Sequence, residues 1–202
     1  MKIGILGGTF DPVHEGHLTL ARAAQKQFSL DKVLFIPASV PPHKQNILSV
    51  TPAAFRYRMV ELALRGEDRF EISDIEFRRQ GPSYTCDTIE RLKALYPGDE
   101  LFLILGEDNW ANLAAWRNPE SIRRSATLLV ARRSGAGPRE IQGAQEGVFW
   151  MDMPETPVAA SRIRERIRNR QALVPGELPA AVEDYIRRMK LYGEGETDAA
   201  CR

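Results

Sequence analysis

The chain has 202 residues, 43% of them hydrophobic, and a formal net charge of +1. That is enough for one α/β domain with a sizeable core, and the near-neutral charge argues against a general nucleic-acid-binding surface. Two cysteines, Cys86 and Cys201, are too few for a disulfide framework or a zinc cage.

No apolar run approaches membrane-spanning length. The first residues read as a strand rather than as the basic and apolar regions of a signal peptide. The expectation is a cytoplasmic protein with no membrane and no nucleic-acid partner; self-association is left open.

In chain order, Ile3–Leu6 is a short apolar run that predicts a buried strand. Gly7 and Gly8 follow, then a turn on Asp11-Pro12, then His14-Glu15-Gly16-His17. A helical pattern follows directly, with Leu18, Leu20, Ala21, Ala24 and Phe28 sharing a face. Val33–Ile36 is a second strand, and residues 38–50 form a loop carrying Pro41-Pro42-His43-Lys44. Thr51-Pro52 reads as N-cap and first residue of a helix running to about Arg65, with Gly66 beyond it. A third strand spans Phe70–Ser73, extended through Asp74 to Phe77. Thr85 is the expected N-cap of a helix from Cys86 to Leu95.

Leu101–Leu105 is the most apolar strand and is expected at the centre of a sheet. Gly106-Glu107-Asp108 opens the next helix, with Asp108 as its N-cap. Asn118-Pro119-Glu120 starts a short helix. Strands are expected at Thr127–Ala131 and Val148–Met151, and helices at Ser161–Asn169 and Pro179–Lys190. One domain over residues 1–192 and a polar tail over 193–202 are expected. Strand and helix alternate throughout. This predicts a doubly wound, mainly parallel sheet with helices on both faces, a Rossmann-like arrangement that binds ligands beyond the carboxyl ends of its strands.

The chemistry gathers at those ends. A strand, a glycine turn and a helix start in succession suit a phosphate, and residues without side chains let it reach the backbone. His14 and His17 lie three apart, so both rings can address one ligand. The spacing misses the G-x-G-x-x-G dinucleotide fingerprint, and His-Glu-Gly-His is one residue short of the zinc-protease motif. A metal pair lacks a third ligand nearby. Asp108 could take ribose hydroxyls, and Trp116 could stack on a flat heterocycle or pack in the core. Lys44 on a proline-stiffened loop suits phosphate, although taken alone it reads as a solvated lysine. Ser161 and Arg164 at a helix start could clamp a polyphosphate.

Gly-Gly-Thr-Phe-Asp-Pro-x-His-x-Gly-His, from Gly7 to His17, resembles the signature of the nucleotidylyltransferases of the class I aminoacyl-tRNA synthetase-like superfamily. Its details are similar to the bacterial nicotinate-nucleotide adenylyltransferases. Pro41-Pro42-His43-Lys44, Ser83-Tyr84-Thr85-Cys86-Asp87-Thr88, Gly106-Glu107-Asp108, Trp116 and Ser161 to Arg164 continue the resemblance along most of the chain. One departure is Ala159, which stands where the family usually has serine; Ser161 stands for its threonine.

The resemblance implies transfer of an adenylyl group from ATP to nicotinate mononucleotide, giving deamido-NAD and pyrophosphate, with Mg²⁺ carried on the ATP phosphates. It implies catalytic roles for His14, His17, Lys44 and Arg164. For ATP it implies Gly7, Gly8, Thr9, Phe10, Gly106, Asp108, Arg133 and Ser161 beside the histidines and Arg164. For the mononucleotide it implies His43, Lys44, Tyr84, Thr85 and Trp116. A sister enzyme acting on phosphopantetheine and a non-catalytic nucleotide sensor are the rival readings. Ser83 to Thr88 and Trp116 speak against the first, and retention of both histidines, Lys44 and Arg164 against the second.

Overall fold

The computed structural model describes residues 1–42, 50–133, 147–154 and 156–193. In chain order the elements are β1 (Lys2–Gly8), α1 (Glu15–Phe28), β2 (Lys32–Pro37), α2 (Ala53–Ala63), β3 (Phe70–Ile72), α3 (Thr85–Leu95) and β4 (Glu100–Gly106). There follow α4 (Glu107–Ala111), a 3₁₀ turn (Leu113–Ala115), α5 (Pro119–Ser125), β5 (Thr127–Arg133), β6 (Val148–Met153), α6 (Ala160–Arg168) and α7 (Ala180–Met189).

The strands form one sheet in the order β3-β2-β1-β4-β5-β6. Every neighbouring pair is parallel. This is the Rossmann order, with the chain reversing direction across the sheet between β1 and β4. The doubly wound expectation holds, and the apolar β4 is central, between β1 and β5.

Each inner strand alternates between two cores, because successive side chains leave opposite faces. On one face Leu6, Val33, Phe35, Phe102 and Ile104 meet Leu18 and Ala21 of α1, Met59 of α2, Ile163 of α6 and Val182 of α7. On the other, Ile3, Ile5, Leu34, Ile36 and Leu103 meet Ile89 and Leu92 of α3 and Ile122 of α5. Each fully buried aliphatic side chain contributes about 1.5–3 kcal/mol, so the sheet is sealed on both sides and ligands are left the strand ends. In α1 the buried stripe is Leu18, Ala21 and Ala24; Leu20 and Phe28 sit at its half-buried margin.

Several expected boundaries move. β3 stops at Ile72, and Asp74 to Phe77 turns instead of continuing the strand, with the Phe77 N–H on the Asp74 carbonyl. The turn carries Ile75 and Glu76 into the interior. Pro52, not Thr51, caps α2: the Thr51 N–H is taken by Asp11 and its carbonyl by Arg56. Tyr84, not Thr85, caps α3, its carbonyl accepting from the Thr88 N–H. Gly106, not Asp108, caps α4. Asn118 does cap α5, with Pro119 behind it. Of the expected tail, only Gly193 is among the described residues.

Candidate active site

The carboxyl ends of β1 and β4 open into a cavity of about 500 Å³, lined by Gly7, Gly8, Thr9, Phe10 and His17 from the first turn and by Gly106 from β4. Tyr84, Thr85 and Trp116 line its far side, and Arg164 of α6 closes it. A second hollow, of about 170 Å³, is lined by Gly106 and Asp108, Arg132 of β5, and Thr156 and Val158. His17, Leu20 and Gly106 line both. The two hollows therefore share one wall, and a histidine stands in it.

The two glycines of the turn differ. A Cβ on Gly7 would meet nothing within 4 Å, so its backbone is open to the cavity. A Cβ on Gly8 would lie 3.1 Å from the Phe10 ring. Gly8 thus makes room for a side chain, a different reason from the one expected. Phe10 is only 2% exposed and stands edge-on to His17, with centroids 4.9 Å apart. It borders the cavity but acts mainly as a wall behind the imidazole.

His14 and His17 stack with ring centroids 3.8 Å apart. The His14 backbone N–H donates to His17 Nδ1 at 3.2 Å. Burial lowers the His14 pKa to about 4. Burial, and then the neighbouring His14, hold His17 well below the usual histidine range. Both rings are therefore neutral near pH 7, and His14 Nδ1 is buried with no hydrogen-bond partner among the described residues. The start of α1 offers less to an anion than the pattern promised. Its Glu15 N–H donates to the Glu177 carbonyl at 3.0 Å and its His17 N–H to the His14 carbonyl at 2.9 Å. The Gly16 N–H, a ring nitrogen and the glycine turn remain.

At the far side, Ser83 does structural work. Its hydroxyl oxygen accepts from the Ser39 and Val40 N–H groups, at 3.0 and 3.3 Å. Arg79 donates to the Tyr84 carbonyl and the Thr88 hydroxyl, and Thr88 donates to Glu76 at 2.7 Å. Trp116 is half-buried, packs against the second core and lines the cavity, so it is both core and wall. Arg117 beside it lies over the Tyr84 ring at 4.7 Å.

Of the residues expected from sequence, Gly7, Gly8, Thr9, Phe10, His17, Gly106, Tyr84, Thr85, Trp116 and Arg164 line the larger cavity, and His14 and Asp108 the smaller one. Ser161 is exposed in the first turn of α6 and lines neither; Ala160 takes its place at the wall. His43, Lys44 and the Arg133 side chain lie outside the described residues. Sequence reading missed Arg56, whose only signal is a charge on the apolar stripe of α2 with Met59, Val60 and Ala63. It also missed Thr156, for which no signal exists.

The cytidylyltransferase-like family matches residues 5–166. A protein of Dictyoglomus thermophilum described as "Probable nicotinate-nucleotide adenylyltransferase" is 41% identical over 197 residues, covering 95% of this chain and 100% of its own. One of Thermus thermophilus with the same description is 40% identical over 192 residues, again covering 95% and 100%. The chain belongs to the nicotinate-nucleotide adenylyltransferase family. The fold is shared more widely: a Plasmodium falciparum nicotinic acid mononucleotide adenylyltransferase complexed with NaAD superposes with a TM-score of 0.79. It is 18% identical and covers 95% of this chain and 97% of its own.

Proposed function

We propose that this protein transfers the adenylyl group of ATP to nicotinate mononucleotide, releasing deamido-NAD and pyrophosphate, a step of NAD biosynthesis. The observation that carries the reading is the shared wall: His17 and Gly106 line both hollows, so two nucleotides bound side by side would bring their phosphates together at one imidazole. The smaller hollow, with Gly106 and Asp108, takes the ATP nucleoside. The larger one, with Tyr84, Thr85 and Trp116, takes the mononucleotide. Family membership supports the reaction.

The mononucleotide phosphate oxygen attacks the α-phosphorus in line, and pyrophosphate leaves. The attacking group is already an anion, so no strong general base is needed, and catalysis is positioning and charge stabilisation. His17 donates a hydrogen bond to the transferring phosphoryl group. Its neighbour His14 fixes its orientation. Arg164 neutralises charge on the phosphates, with Lys44 assigned the same task. Trp116 stacks on the pyridine ring.

Among the described residues no group of three or more His, Cys, Asp or Glu side chains could hold a metal ion. We assign magnesium to the ATP phosphates, where it would neutralise charge when bound. Among the described residues no helix is long and apolar enough to cross a membrane, and we place the enzyme in the cytoplasm as a single domain over residues 1–192.

The test is incubation with ATP, Mg²⁺ and one phosphorylated acceptor at a time, following pyrophosphate. Nicotinate mononucleotide should react far faster than nicotinamide mononucleotide or phosphopantetheine. Equal turnover of phosphopantetheine would overturn the reading, and preference for the amide would overturn its acid-specific part.

A further inference from the structure

Arg56 and Asp11 are 1% and 3% exposed, beneath the glycine turn. A buried charge is costly unless its hydrogen bonds are met. All three sides of the Arg56 fork are met by main-chain carbonyls: Nε to Thr51 at 2.8 Å, Nη1 to Thr9 at 2.7 Å and Nη2 to Ser39 at 3.2 Å. A planar five-donor group can hold three chain segments in one geometry, which lysine cannot do. Asp11 Oδ2 accepts from the Thr51 N–H at 3.3 Å, and Oδ1 accepts from the Tyr192 hydroxyl at 2.8 Å. Tyr192 lies beyond α7, 181 positions away in sequence. The Asp11 carbonyl in turn accepts from Arg164 Nη1 at 2.6 Å.

The chain of contacts therefore runs from the last described turn of the protein, through one carboxylate, to the arginine at the cavity wall. We propose that Tyr192, Asp11 and Arg56 form a buried positioning unit that aims Arg164 at the reacting phosphates. Arg56 and Tyr192 line neither hollow, and Asp11 borders the larger one. The unit acts by holding Asp11 so that its carbonyl leaves the Arg164 guanidinium one orientation. A phenylalanine would fill the Tyr192 space equally well, so the hydroxyl contributes direction rather than volume. The inference rests on the assignment of Arg164 made above.

The test is a double-mutant cycle of Tyr192→Phe and Arg164→Ala in the full-length protein, with kcat and both KM values measured alongside the melting temperature. Tyr192→Phe should lower kcat about tenfold, the loss expected when one buried hydrogen bond that orients a charged group is removed. Both KM values should stay within about twofold. In the Arg164→Ala background the same substitution should change kcat by less than about twofold. Arg56→Lys, which keeps the charge and loses the fork, is the second probe should Tyr192→Phe fold poorly, and the same pattern is expected of it. Wild-type kcat in Tyr192→Phe, or an undiminished effect without Arg164, would overturn the positioning role while leaving the Arg164 assignment intact. Wild-type turnover in Arg164→Ala alone would overturn both.

Discussion

The His14 backbone N–H donates to Nδ1 of His17 at 3.2 Å, and the two rings stack at 3.8 Å. A nitrogen that accepts this bond carries no proton, so neutral His17 holds its hydrogen on Nε2, the other nitrogen. In the proposed reaction the imidazole would act as an oriented neutral donor; Phe10 stands edge-on to it. In ¹⁵N-labelled protein at pH 6.5, His17 should give the signature of a neutral Nε2–H ring. An imidazolium signal in the free enzyme would refute this.

A donor of that kind is worth most where charge develops during transfer. Removing one such donor costs about 10²–10³ in kcat. His17→Ala should lose activity on that scale, with the Kd for ATP, read by calorimetry, changing far less. A variant with near-normal kcat would show that the phosphoryl group is stabilised elsewhere. A wild type inactivated by chelator and restored by zinc but not by magnesium would point to a metal role for the pair.

The histidines also link stability to pH. Burial lowers the His14 pKa to about 4, against about 6.5 in the unfolded chain. Between those values the unfolded state binds a proton that the folded state does not, so stability rises with pH across that window and falls as acid is added. The slope is at most about 1.4 kcal/mol per pH unit for one such group. His17 is displaced in the same direction. Melting temperature should fall between pH 7 and pH 4.5, less steeply in His14→Gln than in wild type. Identical slopes for the two proteins would contradict a neutral, buried His14.

The glycine turn offers a paired test. Alanine at Gly7 meets nothing, so Gly7→Ala should melt near the wild-type temperature while its methyl group occupies the cavity and raises nucleotide KM values. Alanine at Gly8 presses on the Phe10 ring at 3.1 Å, so Gly8→Ala should lose about 1–3 kcal/mol of stability, as overpacked sites do. Reversal of the two outcomes would mean that the turn faces the other way.

Trp116 packs against the core and also faces the cavity. Trp116→Ala should raise the KM for nicotinate mononucleotide several-fold to about tenfold, since stacking is worth about 0.5–1.5 kcal/mol beyond area burial. The KM for ATP should hardly move. A large loss of thermal stability with unchanged KM would leave Trp116 a packing residue only.

The sequence determined what depends on neighbours in the chain. The alternation of Val33 and Phe35 against Leu34 and Ile36, and of Phe102 and Ile104 against Leu103, specifies strands buried on two faces. The run from Gly7 to His17 specifies a strand, a tight turn and a helix with two imidazoles at its entry. Arg56 was half legible: its place on the stripe of Met59, Val60 and Ala63 marks it as buried, but nothing local names its acceptors. Tertiary structure alone decided that those acceptors are Thr9, Ser39 and Thr51. It also moved the cap of α2 from Thr51 to Pro52, with Asp11 taking the Thr51 N–H and Arg56 its carbonyl. Ser161 is exposed in the first turn of α6, because the packing of Ile163 into the core sets the rotation of that helix. Tyr192 gave no signal at all. A hydrogen bond spanning 181 positions exists only once the fold has brought the segment after α7 to the first turn, and a periodic pattern records which face a residue presents but not what it will meet there.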